Sequence, residues 1–74
     1  MIGYLHGKVT HLLIDYCLID VNGVGYRVFI AAATRSKLKI NEEATLFTYL
    51  NVREDALLLY GFYTQAEYNL FNKL

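Results

Sequence analysis

Proline is absent from the 74 residues, where average usage near 5% would place about four, so glycine and asparagine must punctuate the fold. There is one cysteine, Cys17, which excludes an internal disulfide and a thiolate-rich zinc site. Net charge is missing too. Seven Lys plus Arg offset seven Asp plus Glu, so no global field draws the chain to nucleic acid or to an acidic membrane, and any such binding is local. No apolar run approaches the ~18 residues of a spanning helix, and the N-terminus has neither the basic nor the apolar part of a signal peptide. These absences lead to the expectation of a soluble, unexported protein of a reducing cytoplasm with no membrane partner.

Catalytic equipment is equally sparse. His6 and His11 are the only histidines, and at odd spacing on a strand they point to opposite faces, so no metal site is expected. Cys17 stands in an apolar run without a histidine near it in sequence, which suits a small buried hydrophobe better than a nucleophile. Gly23-Val24-Gly25 lacks the third glycine of a phosphate-binding loop and precedes a strand, and no glycine-lysine loop occurs elsewhere. The chain is expected to hold no cofactor and to catalyse nothing on its own.

What is present is apolar: 55% hydrophobic and 15% aromatic against 19% charged residues, the composition of a chain that folds rather than one that stays disordered. Its length allows one domain. Residues 2–9 mix β-formers with Gly3 and Gly7 and predict a curved first strand. Residues 12–21 and 26–30 are further strand runs, parted by a turn at Asn22-Gly23-Val24-Gly25. Cys17, Ile19 and Val21 alternate with Leu18 and Asp20, and Tyr26, Val28 and Ile30 alternate with Arg27 and Phe29. The segment 31–43 breaks the strand pattern and predicts a short helical turn and a loop. Strands resume at 44–52 and 56–62, joined by the charged tip Arg53-Glu54-Asp55.

Thr64-Gln65-Ala66-Glu67 matches a capping box, with Tyr63 and Tyr68 at staple positions, so a helix is expected from Thr64 with Leu70, Phe71 and Leu74 on one side and no C-cap signal by its end. Three strands, a linker helix, two strands and a helix form the element order of an OB-fold barrel of five or six strands, mainly β, with a short linker helix and the start of a C-terminal helix. An SH3-like barrel is the alternative. Three consecutive leucines, Leu57 to Leu59, require at least one to leave the barrel interior.

Tyr16, Tyr26, Tyr49 and Tyr60 lie inside strand runs and are read as core and barrel-rim packing. Exposed aromatics stacking on single-stranded nucleic acid, or a purely structural oligomerisation role, are the other functions such a barrel could serve. Arg35, Lys37 and Lys39 alternate in the linker; a solvated surface is their default, with DNA phosphate contact as the functional reading. Glu54 and Asp55 at the tip have a charged hairpin turn as their default.

Three motifs together, Met1-Ile2-Gly3-x-Leu5-x-Gly7, Asp20-Val21-Asn22-Gly23-Val24-Gly25-Tyr26 and Val52-Arg53-Glu54-Asp55-Ala56-x-x-Leu59-Tyr60-Gly61-Phe62, resemble the N-terminal domain of the RuvA family. That family is the Holliday junction recognition subunit of a bacterial branch-migration motor. The resemblance implies an OB-fold over residues 1–62, with 63–74 starting a helix toward helix-hairpin-helix and C-terminal domains. It further implies a homotetramer, or an octamer of the full-length protein, on four-way junction DNA, with the RuvB ATPase and the RuvC resolvase as partners. In this family the charged hairpin is an acidic pin, whose matching positions are Glu54 and Asp55. Arg53 beside them would hold a phosphate. Many members carry a basic residue where this chain has Tyr4 or His6, so phosphate contacts are not expected along the first strand.

Overall fold

The structure, a computed structural model, describes residues 3–72. The expected strand start at Ile2 and the expected place of Leu74 on a helix face lie outside these residues. Five strands close into one barrel: β1 (Tyr4–Leu12), β2 (Tyr16–Val21), β3 (Val24–Ile30), β4 (Glu43–Val52) and β5 (Leu57–Phe62). A single helical turn, α1 (Ala32–Arg35), links β3 to β4, and α2 (Gln65–Asn72) follows β5. Around the barrel the order is β1-β2-β3-β5-β4. Every neighbouring pair is antiparallel except β3 with β5, which run parallel over two residue pairs, Phe29 with Tyr60 and Ile30 with Gly61. Closure by β1 on β4, with the helical crossover between β3 and β4, is the OB arrangement and decides against an SH3-like barrel.

Alternation fills the interior. Val9, Cys17, Ile19, Val28 and Leu46 are at most 1% exposed, and Leu5, Ile30, Leu38 and Leu59 complete the core. Burying such side chains removes apolar area worth ~25 cal/mol per Å² from water, the main stabilising contribution in so small a domain. The β2–β3 loop is the two-residue turn Asn22-Gly23, both at positive φ (52° and 89°), between the paired Val21 and Val24. Asn-Gly suits this turn because both central residues must be left-handed, and Asp20 Oδ1 accepts from the Gly23 N–H at 2.7 Å. Strand β3 therefore begins two residues before the expected Tyr26.

Other boundaries moved for identifiable reasons. Residues 12–21 do not form one strand: Leu12 ends β1, and Leu13–Asp15 form a loop closed by Leu13 N–H donating to Tyr16 C=O at 2.8 Å. Ile14 in that loop is 84% exposed, so apolar character there does not signal a strand. The register of β1 on β2 shifts between Val9 and His11, a bulge that resets the alternation. His6 and His11 are consequently both exposed on the outside instead of facing opposite ways. Among the described residues no cluster of His, Cys, Asp or Glu is arranged to hold a metal.

The capping box forms as expected, with Glu67 N–H donating to Thr64 Oγ1 and Thr64 N–H donating to Glu67 Oε1, both at 3.2 Å. The staple does not: Tyr68 packs edge-on against Phe62 at 6.0 Å, while Lys37 Nζ lies 5.3 Å from the Tyr63 ring centre. Of the expected apolar side of α2, Phe71 meets the barrel but Leu70 is 72% exposed.

The tyrosines also divide. Tyr26 packs against the core. Tyr16, Tyr49 and Tyr60 instead lie on the outer face, where strand register aligns Tyr16 with Phe29, Phe29 with Tyr60 and Tyr60 with Tyr49. Their rings form a continuous ladder with Phe71 of α2, at centroid spacings of 5.5 to 6.1 Å.

Candidate nucleic-acid interface

The hairpin of β4 and β5 leaves the barrel. Strand β1 accompanies β4 only as far as Tyr4 opposite Phe47, and β3 accompanies β5 only at Tyr60 and Gly61. Beyond them, Leu50–Leu59, Asn51–Leu58 and Val52–Leu57 pair with each other alone. Three rungs at ~3.4 Å each give a two-stranded arm on the order of 10 Å long.

Arg53 N–H donates to Ala56 C=O at 2.8 Å and closes the tip. The side chains of Arg53, Glu54 and Asp55 are exposed, and none has a hydrogen-bond or ion-pair partner among the described residues. Charges left unneutralised at the end of a projecting arm act on whatever approaches it.

The linker cations are placed elsewhere. Arg35 is half-buried, and its Nε donates to Leu13 C=O at 2.7 Å, tying α1 to the β1–β2 loop. Lys37 and Lys39 line a cleft of about 460 Å³ together with His6, Glu42, Glu43 and Tyr63. Glu42 and Glu43 offset the two lysines there. Within the same cleft His6 Nε2 stands 3.1 Å from Glu43 Oε1, and its Nδ1 stands 2.6 Å from Thr45 Oγ1. The cleft lies at the start of β4 and the charged tip past its end, ten residues of strand away. The structure thus brings Arg53, Glu54 and Asp55 together and separates them from the linker cations.

One cation escaped the sequence reading. Arg27 is exposed on β3, with its guanidinium carbon 5.7 Å from the Tyr16 ring centre and 5.6 Å from that of Phe29. Alternation alone places Arg27 and Phe29 on one face, which was the available signal. The outer aromatics themselves pack against one another and α2, leaving little open ring surface on which successive bases could stack.

Cys17 is fully buried, and burial pushes its thiol up to about 11. A thiol held protonated at neutral pH is no nucleophile. No described helix is long and apolar enough to cross a membrane.

Residues 1–61 match the family model described as the RuvA N terminal domain. The chain belongs to this family. A relative from Symbiobacterium thermophilum is 55% identical over 75 residues, and relatives from Rickettsia bellii and Acetivibrio thermocellus are 51% and 43% identical. Each carries the name Holliday junction branch migration complex subunit RuvA, and in each comparison the whole of this chain aligns. The chain spans 36–37% of the length of these RuvA relatives.

Proposed function

We propose that the chain is a non-catalytic, junction-shaping module of a branch-migration complex, which recognises four-way DNA junctions in homologous recombination and repair. The observation that carries this reading is the arm: Glu54 and Asp55, exposed and unpaired, stand at the end of a ladder clear of the barrel. Four-fold assembly around a junction would gather eight carboxylates, two from each of four copies, where the DNA arms converge. A carboxylate ~4 Å from a phosphate costs about 1 kcal/mol in water and about 4 kcal/mol at an effective dielectric constant of 20. Repulsion of that size opposes continuous duplex across the centre and closing of the crossover. It selects a DNA shape without adding affinity. Arg53 offers a nearby phosphate a charge-assisted hydrogen bond, and Arg35, Lys37 and Lys39 are secondary phosphate contacts.

In the full-length subunit, residues 1–62 form the barrel and 63–74 lead to helix-hairpin-helix and C-terminal domains. That subunit assembles as a homotetramer or octamer and works with a RuvB-type ATPase and a RuvC-type resolvase in the bacterial cytoplasm. The names of the relatives support junction DNA and a multi-subunit complex as partners. The test compares binding of a labelled four-way junction and a matched linear duplex at low salt by the chain and by its Glu54→Gln/Asp55→Asn variant. Neutralisation is expected to strengthen duplex binding more than junction binding. An equal response of the two DNAs, or no binding of either, refutes the assignment of recognition to this arm.

A further inference from the structure

Below the charged tip the arm carries an apolar pair. Val52 and Leu57 face each other across the last rung, 68% and 69% exposed. No charged side chain occurs along residues 49–52 or 57–60, so this stem has nothing with which to hold a phosphate. Two large hydrophobes at the free end of a hairpin contribute little to the fold, since neither reaches the barrel core. Their exposure calls for an apolar partner.

A second copy of the chain does not suit them. Two side chains cover far less than the ~1,200 Å² that a specific protein interface buries, and apposing two stems brings four carboxylates together. A DNA crossover does suit them. There the surface that is neither phosphate nor sugar is the face of a base pair whose stacking partner has turned into another arm. A two-stranded ribbon is narrow enough to enter a groove ~12 Å wide, and leucine-like wedges placed against base steps are an established way to hold DNA bent or unstacked.

We propose that Val52 and Leu57 form an apolar wedge that packs against the exposed base faces at the crossover, directly beneath the carboxylates. The inference rests on the junction reading above and divides the labour of the arm. Glu54 and Asp55 repel what is wrong, and Val52 with Leu57 hold what is right. Selectivity then has an attractive component that added salt does not screen.

The experiment is NMR of the isotope-labelled chain with a four-way junction and, separately, with a linear duplex of the same sequences, at concentrations that reveal weak binding. The variant Val52→Thr/Leu57→Thr assigns the methyl signals and keeps strand-forming residues at exposed positions; its thermal melt checks folding. The wedge predicts upfield ring-current shifts of the Val52 and Leu57 methyls with the junction and not with the duplex. It also predicts a loss of roughly five- to tenfold in junction affinity for the variant, with duplex binding unchanged. If the Glu54 and Asp55 amides respond to the junction while these methyls do not, the pin stands and the wedge falls. Equal methyl shifts with duplex, or shifts that follow protein concentration without DNA, overturn the wedge as well. If neither the amides nor the methyls respond, the junction reading fails, and the wedge with it.

Discussion

Replacing Gly7 by alanine puts the closure of the barrel to the test. Strand β1 serves two neighbours, pairing with β4 from Tyr4 to Lys8 and with β2 from Lys8 to Leu12. Gly7 sits beside the hand-over. A Cβ at this position would press into the backbone carbonyl oxygen of Asp20 and lie 3.0 Å from Ile19 Cγ2, a core atom. The first obstacle is main chain and cannot rotate aside, so relief requires β1 to part from β2 at the Lys8–Asp20 and Val9–Ile19 rungs. Overpacking of this kind costs ~1–3 kcal/mol, and weakening one or two ladder hydrogen bonds adds about 1 kcal/mol each. At ~4–8 °C per kcal/mol for a domain of this size, Tm should fall by at least about 10 °C. Gly25→Ala is the control, because a Cβ there meets nothing within 4 Å. Circular dichroism melts of the two variants and the parent chain decide the matter. A Gly7→Ala melt within about 3 °C of the parent would refute the claim that close approach of β1 and β2 at Gly7 shapes the barrel.

Two further outcomes follow from the buried thiol and the charge balance. Burial raises the Cys17 thiol from 9.0 to about 11, so the unfolded chain releases that proton first. Stability present in full below pH 9 is therefore lost as pH rises toward 11. Urea midpoints at about pH 8 and about pH 10.5 should separate more for the parent than for Cys17→Ala, and equal separations would remove the thiol from the account. For DNA, a chain with no net charge and few free cations releases few counterions, so the slope of log K against log salt for junction binding should be shallower than about −2. A slope near −6 or steeper would mean phosphate contacts across much of the surface and would sink the local reading.

Local pattern was legible in the sequence and closure was not. Cys17, Ile19, Val28 and Ile30 were assigned inward from alternation, and they are inward, because side-chain direction along a strand depends only on neighbouring residues. The bulge between Val9 and His11 depends on the register with β2, so the shared outward direction of the two histidines could not be read from their spacing. Leu13 and Ile14 look like strand residues by hydrophobicity alone, yet the loop that contains them is fixed by its hydrogen bond to Tyr16. At the site, the cluster Arg53-Glu54-Asp55 was visible as charge. That it stands on a free arm was not, since this follows from where β1 and β3 stop pairing. The carboxylates opposite Lys37 and Lys39 were likewise hidden until Glu42 and Glu43 came into the same cleft.

How the arm is aimed leads to a last prediction. A two-stranded hairpin is marginally stable by itself, so the direction of Glu54 and Asp55 is set where the arm is rooted. Tyr49 and Tyr60 face each other at that root, one rung below Leu50 and Leu59. Phe71 of α2 lies against both rings, at 5.5 and 6.0 Å, and 4.9 Å from that of Phe62. Aromatic pairs of this kind contribute ~0.5–1.5 kcal/mol each beyond their buried area. Phe71→Ala removes three at once, and it removes them from the root and not from the barrel interior. Hydrogen exchange should therefore quicken by roughly tenfold or more at protected arm amides among residues 50–52 and 57–59, with the Val9 and Ile19 amides little changed. Uniform loss of protection over arm and barrel would make Phe71 a contributor to global stability only, and no loss at all would detach α2 from the arm. With the expected result, helix and pin form one mechanical unit, and whatever displaces α2 also redirects the carboxylates.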